Sequence, residues 1–230
     1  MNIAIHGIGQ TTPDYYLTWG LSSVLNVPSS EVQGFYYDDV LDKDQMDVWE
    51  TWLHGVLSKW YSPRLKAIVP DPMDYLDDIL VFFLCPDARD MIEYKLNSML
   101  RGPKRIRLFA YSLGSMVAYW YLLRYPEIAK KVELVTIASP MGSPVLAGLV
   151  RYWMGRVCEE PMERPAVVSW KNLYSTADPL SGVLYSYGVE TTDEIMIPFQ
   201  SKVLHTDVAG YLAAYGKSLP VALRSPVVKR

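Results

Sequence analysis

Short apolar segments alternate with helical segments along almost the whole chain, and this alternation restricts the fold more than any other feature. The apolar segments predict strands at residues 3–5, 32–37, 105–110, 132–138, 167–174 and 194–197. Most neighbouring strands are separated by a helical segment of ten or more residues. Connections of that length are crossovers between parallel strands, so we predict an α/β protein with a mostly parallel central sheet and helices on both faces.

The length of 230 residues predicts a single domain over residues 1–230. Residues 42–86 add two predicted helices, at 42–60 and 75–84, between neighbouring strands, and we interpret this segment as a helical insertion. Apolar residues also recur at helical spacing over 144–156. That segment is a candidate cap helix over an acyl pocket, or else a helix packed on the sheet.

Composition excludes several classes of protein. Half of the residues are apolar and the net charge is −3, so the chain is neither disordered nor basic enough to predict a nucleic-acid partner. The longest strongly apolar run, residues 79–85, is too short to span a bilayer. The two cysteines and three histidines lack metal-site spacing, so we expect no metal or other cofactor. Without a signal-like start we expect a cytoplasmic protein, and its oligomeric state stays open.

Residues 110–114 (AYSLG) carry the candidate nucleophile, Ser112. They lie between a predicted strand and an apolar helix at 116–124, which is the context of a nucleophile elbow. Such a sharp turn folds the helix back on its own strand, so small residues are needed where Ala110 and Gly114 stand. The turn presents the serine hydroxyl at the carboxyl edge of the sheet. The alternative is a turn of small residues in which Ser112 only caps the helix.

A nucleophilic serine that attacks a carbonyl needs two amide donors for the developing oxyanion. Leu113 follows the nucleophile and supplies the first. Ile8, within residues 6–9 (HGIG) after the first strand, is the candidate for the second, because the flanking glycines permit close approach of the backbone. We interpret His6 as a residue that braces this loop rather than as a catalytic base.

The serine also needs a base, and the base needs an orienting acid. His205 lies between the last predicted strand and the last helix, and Asp178 directly follows a strand and precedes a proline. The order Ser112, Asp178, His205 is the one expected for a nucleophile-elbow hydrolase. His54 is better explained as an ordinary helix residue. Two weaker candidates for the acid are Asp193 and Asp207.

The sequence resembles the lipase and esterase branch of the α/β-hydrolase superfamily. Three segments resemble the minimal lipases of the Bacillus type: residues 6–9 (HGIG), 110–114 (AYSLG) and 174–178 (YSTAD). Residues 137–144 (IASPMGSP) also resemble a segment at the end of a strand in many lipases. The resemblance implies an α/β-hydrolase fold and a serine carboxyl-ester hydrolase. It also implies a triad of Ser112, Asp178 and His205, with the amides of Ile8 and Leu113 as oxyanion donors.

This chain differs from those lipases at two positions, since Tyr111 and Met141 stand where histidine is usual. The insertion at 42–86 has no counterpart in them. The residues that we assign to substrate contact are Gln10, Tyr15, Tyr111 and Met141.

The sequence thus predicts hydrolysis of carboxylic esters, of small molecules or lipids, through an acyl-enzyme. The same triad would also serve a thioesterase or a hydrolase of lipid or polymer esters. A non-catalytic binding module with a hydrolase-like fold is the alternative from another class.

Overall fold

A computed structural model describes the protein at residues 1–7, 15–37, 40, 79–102, 105–158, 162–197 and 208–219. The predicted helix at 42–60 lies outside these residues, as does most of the predicted insertion at 42–86. Within the described part of the insertion, residues 79–84 are helical as predicted.

The strands of the described chain form one parallel sheet in the order β2-β1-β3-β4-β5-β6. Their bounds are β1 Asn2–Ile5, β2 Val32–Phe35, β3 Ile106–Tyr111, β4 Val132–Ile137, β5 Ser169–Tyr174 and β6 Glu194–Met196. Each of the six predicted strands is therefore present. The parallel sheet confirms the α/β prediction and is compatible with an α/β-hydrolase fold.

Helices surround the sheet. Their bounds are α1 Tyr15–Leu25, α2 Pro86–Leu100, α3 Leu113–Arg124, α4 Pro126–Ala129, α5 Ala147–Val157 and α6 Val208–Ser218. Pro86 stands in the first turn of α2, where its missing amide hydrogen costs nothing. It separates α2 from the helical residues 79–84, so the break between these two predicted helices is also found.

The core has two layers because successive strand residues point to opposite faces of the sheet. In β3, Leu108 and Ala110 pack with α2, α3 and α5, whereas Phe109 and Tyr111 pack with α1 and α6. The two faces therefore carry different helices, and the strand ends emerge between them.

Helix α5 covers most of the predicted cap segment 144–156. Val150 and Met154 are buried in the core, whereas Leu149 and Tyr152 are exposed on the opposite side of the helix. The helix thus packs on the sheet face, and its outer side bears apolar residues.

Candidate active site

The loops after β1 and β3 lie at the point where the direction of strand addition reverses. These strands are neighbours, yet α1 and α3, which follow them, pack on opposite faces of the sheet. In open α/β sheets, ligands bind at the carboxyl ends of the strands at such a point. Gly7 follows β1, and a Cβ atom placed on it would lie 2.7 Å from Cβ of Ser112, so the two loops are in contact.

Ser112 forms an abrupt turn between a strand and a helix. It is the only residue between the end of β3 at Tyr111 and the start of α3 at Leu113. Its φ of 52° and ψ of −124° lie outside the usual regions for a side-chain-bearing residue, at a cost of about 1–3 kcal/mol. The Ser112 amide donates a hydrogen bond to the carbonyl oxygen of Ile137 on β4, at 2.9 Å. The neighbouring strand thus helps to hold the turn.

Gly114 allows the first turn of α3 to approach β1. A Cβ atom at this position would lie 2.4 Å from the carbonyl oxygen of His6 and 2.8 Å from Cγ2 of Ile5. No larger residue fits without a shift of the backbone. The elbow pattern predicts a small residue at this position, and the close approach of His6 and Ile5 is the reason that one is needed.

Two further serines form hydrogen bonds that support the turn. Ser115 Oγ lies 2.5 Å from the carbonyl oxygen of Ser112 and 2.7 Å from Oγ of Ser139. Since a hydroxyl carries one proton, Ser115 donates to the carbonyl and accepts from Ser139. The supporting role of Ser139 was not predicted, although it lies in the lipase-like segment 137–144.

Asp178 lies in the loop after β5 and is buried, with both carboxylate oxygens accepting hydrogen bonds. One oxygen accepts from the Leu180 amide at 2.9 Å, and the other accepts from the Tyr211 hydroxyl at 2.8 Å. Burial, reinforced by the Asp178 charge, raises the pKa of Tyr211, so that this hydroxyl stays protonated and able to donate. The carboxylate is therefore held in one orientation.

Tyr211 is a member of the site that the sequence reasoning missed. It lies in the first turn of α6, and its hydroxyl is also 3.1 Å from Oγ of Ser181. The sequence feature that could have indicated Tyr211 is its position in the first turn of the helix that follows His205.

The other predicted site residues are placed as follows. Tyr111 is buried against α1 and α6, and Met141 is buried on the opposite face in a short 3₁₀ turn, Pro140–Gly142, after β4. Leu113 is the first residue of α3, where amides have no partner within the helix. Predictions for Ile8, Gln10, His205 and the Tyr15 side chain fall outside the described residues.

His6 is buried at the end of β1 and braces the loop beside Ser112. Its Nε2 accepts a hydrogen bond from the Tyr37 amide at 3.3 Å, so its proton is on Nδ1, which donates to the carbonyl oxygen of Gly7. The ring also stacks on Tyr37, with centroids 4.8 Å apart. Burial lowers the pKa of His6 to about 4, so the ring is neutral at pH 7.

This lowered pKa predicts acid sensitivity. The unfolded chain binds the His6 proton near pH 6.5 and the folded chain only near pH 4, so the stability that His6 contributes is full above 6.5 and is lost as the pH falls toward 4. We expect wild type to lose up to about 3 kcal/mol more of its unfolding free energy over this range than His6→Asn does. Urea denaturation at a series of pH values measures the difference. The other histidines are the same in both proteins, and parallel pH curves would contradict the assignment.

The described parts of the chain contain no group of three or more His, Cys, Asp or Glu side chains that would bind a metal ion. In the same residues, no helix has the length and apolar character needed to cross a membrane. Cys85 and Cys158 are free thiols. The described residues of the site include the Ser112 hydroxyl and the Asp178 carboxylate.

No protein-family model matches the sequence, and a search of curated proteins gives no match either.

Proposed function

We propose that the protein is a serine hydrolase that cleaves carboxylic esters, and the backbone conformation of Ser112 carries this proposal. A serine that only caps a helix has extended backbone angles and accepts a hydrogen bond from the first turn. Ser112 instead has a positive φ, and its side chain makes no capping hydrogen bond to α3. The strain favours a nucleophile elbow over the capping turn considered as the alternative.

The positions of Ser112 and Asp178 relative to the strand ends support the choice of Asp178 as the acid. Ser112 and Asp178 follow β3 and β5, with β4 between them, and two strand spacings correspond to about 10 Å. Strand ends at that spacing leave room for a base between the serine and the carboxylate. His205 is the candidate by connectivity, because it precedes the start of α6 by three residues and Tyr211 of that helix donates to Asp178.

In the proposed reaction, His205 removes the proton from Ser112 as the serine oxygen attacks the ester carbonyl. Asp178 orients the imidazole and stabilises its protonated form. The amides of Leu113 and Ile8 hold the oxyanion. His205 then protonates the departing alcohol, and a water molecule activated by the same base releases the acid from the acyl-enzyme. These reaction steps need no cofactor.

The proposed substrates are neutral esters with moderately apolar acyl groups, from small molecules or lipids. We also propose that the activity is cytoplasmic.

A series of p-nitrophenyl esters of increasing acyl length, with matched thioesters, tests the proposal. We expect turnover of the esters that is insensitive to a chelator. A folded protein that cleaves none of these compounds would instead be a binding module, and faster turnover of the thioesters would reassign the same triad.

A further inference from the structure

A row of polar side chains crosses one of the two buried faces of the sheet beside the proposed site. Thr136, Asn172 and Glu194 are paired residues on β4, β5 and β6, so they stand side by side on one face. Thr136 and Asn172 are fully buried, and Glu194 is half-buried. Buried polar groups of this kind are costly unless every one is hydrogen-bonded.

The hydrogen bonds of this row form a series of donors and acceptors that ends at Glu194. The Trp170 indole donates to Thr136 at 3.1 Å, and the Thr136 hydroxyl donates to Oδ1 of Asn172 at 2.9 Å. The Asn172 amide then donates to the carboxylate of Glu194 at 2.6 Å and to the carbonyl oxygen of Gly182 at 2.9 Å. Glu194 is thus the final acceptor, and it fills this role fully only as a carboxylate.

The far end of the row holds the loop that carries Asp178. The second oxygen of Glu194 accepts from the Leu184 amide at 2.6 Å, six residues beyond Asp178. Together with the Asn172 bond to Gly182, this fixes the returning arm of the loop on the sheet. Backbone packing of Gly182 on Gly142 leaves no room for a side chain, so the arm has little freedom to shift.

We propose that Glu194 is a positioning residue, which holds residues 182–184 and thereby keeps the Asp178 carboxylate where it orients the catalytic base. This inference rests on the proposed function. Glu194 acts only through Asp178 and has no contact with the reacting atoms in the scheme above.

Glu194→Gln tests the proposal because glutamine keeps the size but has an NH2 group in place of one acceptor. That group must face either the Asn172 amide or the Leu184 amide, and both are donors. The matched control is Glu190→Gln. Glu190 lies outside the row, its side chain is 71% exposed, and its ion pair with Arg164 is long, at 3.5 Å. The unpaired buried donor that results should cost about 1–3 kcal/mol of the free energy of unfolding, which leaves the protein folded.

Hydrogen exchange gives a result that does not depend on activity. We expect the Leu184 amide, which donates to Glu194, to exchange about tenfold faster or more in Glu194→Gln than in wild type, with no change in Glu190→Gln. Unchanged exchange in Glu194→Gln would overturn the proposal, whatever the enzyme assays show.

Enzyme assays then separate positioning from general weakening. We expect Glu194→Gln to lower kcat for an ester about tenfold with KM nearly unchanged, because misplacement of a catalytic group slows the chemical step. Added to Asp178→Asn, the same change should cost almost nothing more, since its target is gone. A full tenfold loss in the double variant would overturn the positioning role. Activity retained by Ser112→Ala would instead contradict the proposed function, and the exchange result would still decide whether Glu194 holds the loop.

Discussion

Replacement of Ser112 by alanine is expected to lower the kcat for ester hydrolysis by about 10³-fold or more, because it removes the oxygen atom that is proposed to form the acyl-enzyme. The effect should be on chemistry rather than on folding. Alanine and serine both carry a Cβ atom, so the strain at φ 52° is the same in both proteins. Steady-state kinetics with the best p-nitrophenyl ester, alongside a thermal melt, measures the two quantities.

Ser22→Ala is the matched control for this substitution. Ser22 lies in α1, and its hydroxyl donates to the carbonyl oxygen of Val27 at 2.9 Å just beyond the end of that helix. Its loss should cost about 1 kcal/mol of stability and leave kcat unchanged. Equal turnover by Ser112→Ala and wild type would mean that another group is the nucleophile.

Asp178→Asn is expected to lower kcat by about 10³- to 10⁴-fold while the protein stays folded. An amide has no charge to stabilise the protonated base, and it presents a donor where the carboxylate accepts. The surroundings can adapt, since the Tyr211 hydroxyl is able to turn its proton toward Ser181 and accept from the new amide. Kinetics of the purified variant test the prediction, with circular dichroism to confirm the fold.

Tyr211→Phe provides the comparison for the acid. It removes the hydrogen bond from Tyr211 to the Asp178 side chain but leaves the charge and the Leu180 bond in place. We expect a loss of about tenfold in kcat, well short of the effect of Asp178→Asn. If Asp178→Asn were as active as wild type, Asp178 would be an ordinary turn residue and the orienting acid would lie elsewhere.

Much of the fold follows from local pattern, because each buried strand and each helix face shows its own periodicity. The clearest difference is the start of α3, which lies at Leu113 rather than at 116. Apolar periodicity indicates only where a helix buries its residues. It does not reveal that an elbow leaves a single residue between strand and helix.

Some residues of the candidate site are likewise recognisable from local sequence, and others are not. Ser112 and Gly114 are recognisable from sequence because the steric demands of an elbow act over five neighbouring residues. The contacts of Tyr211 with Asp178, and of Glu194 with Leu184, join residues that are distant in the chain. They depend on strand register and on where α6 packs, and no local pattern encodes either.

A fluorophosphonate probe, followed by mass-spectrometric mapping of the modified peptide, tests the central claim most directly. The account predicts a single adduct on Ser112 of the folded protein, absent from Ser112→Ala and formed far more slowly in Asp178→Asn. A folded protein that forms no adduct, or that is modified at a different residue, would contradict it.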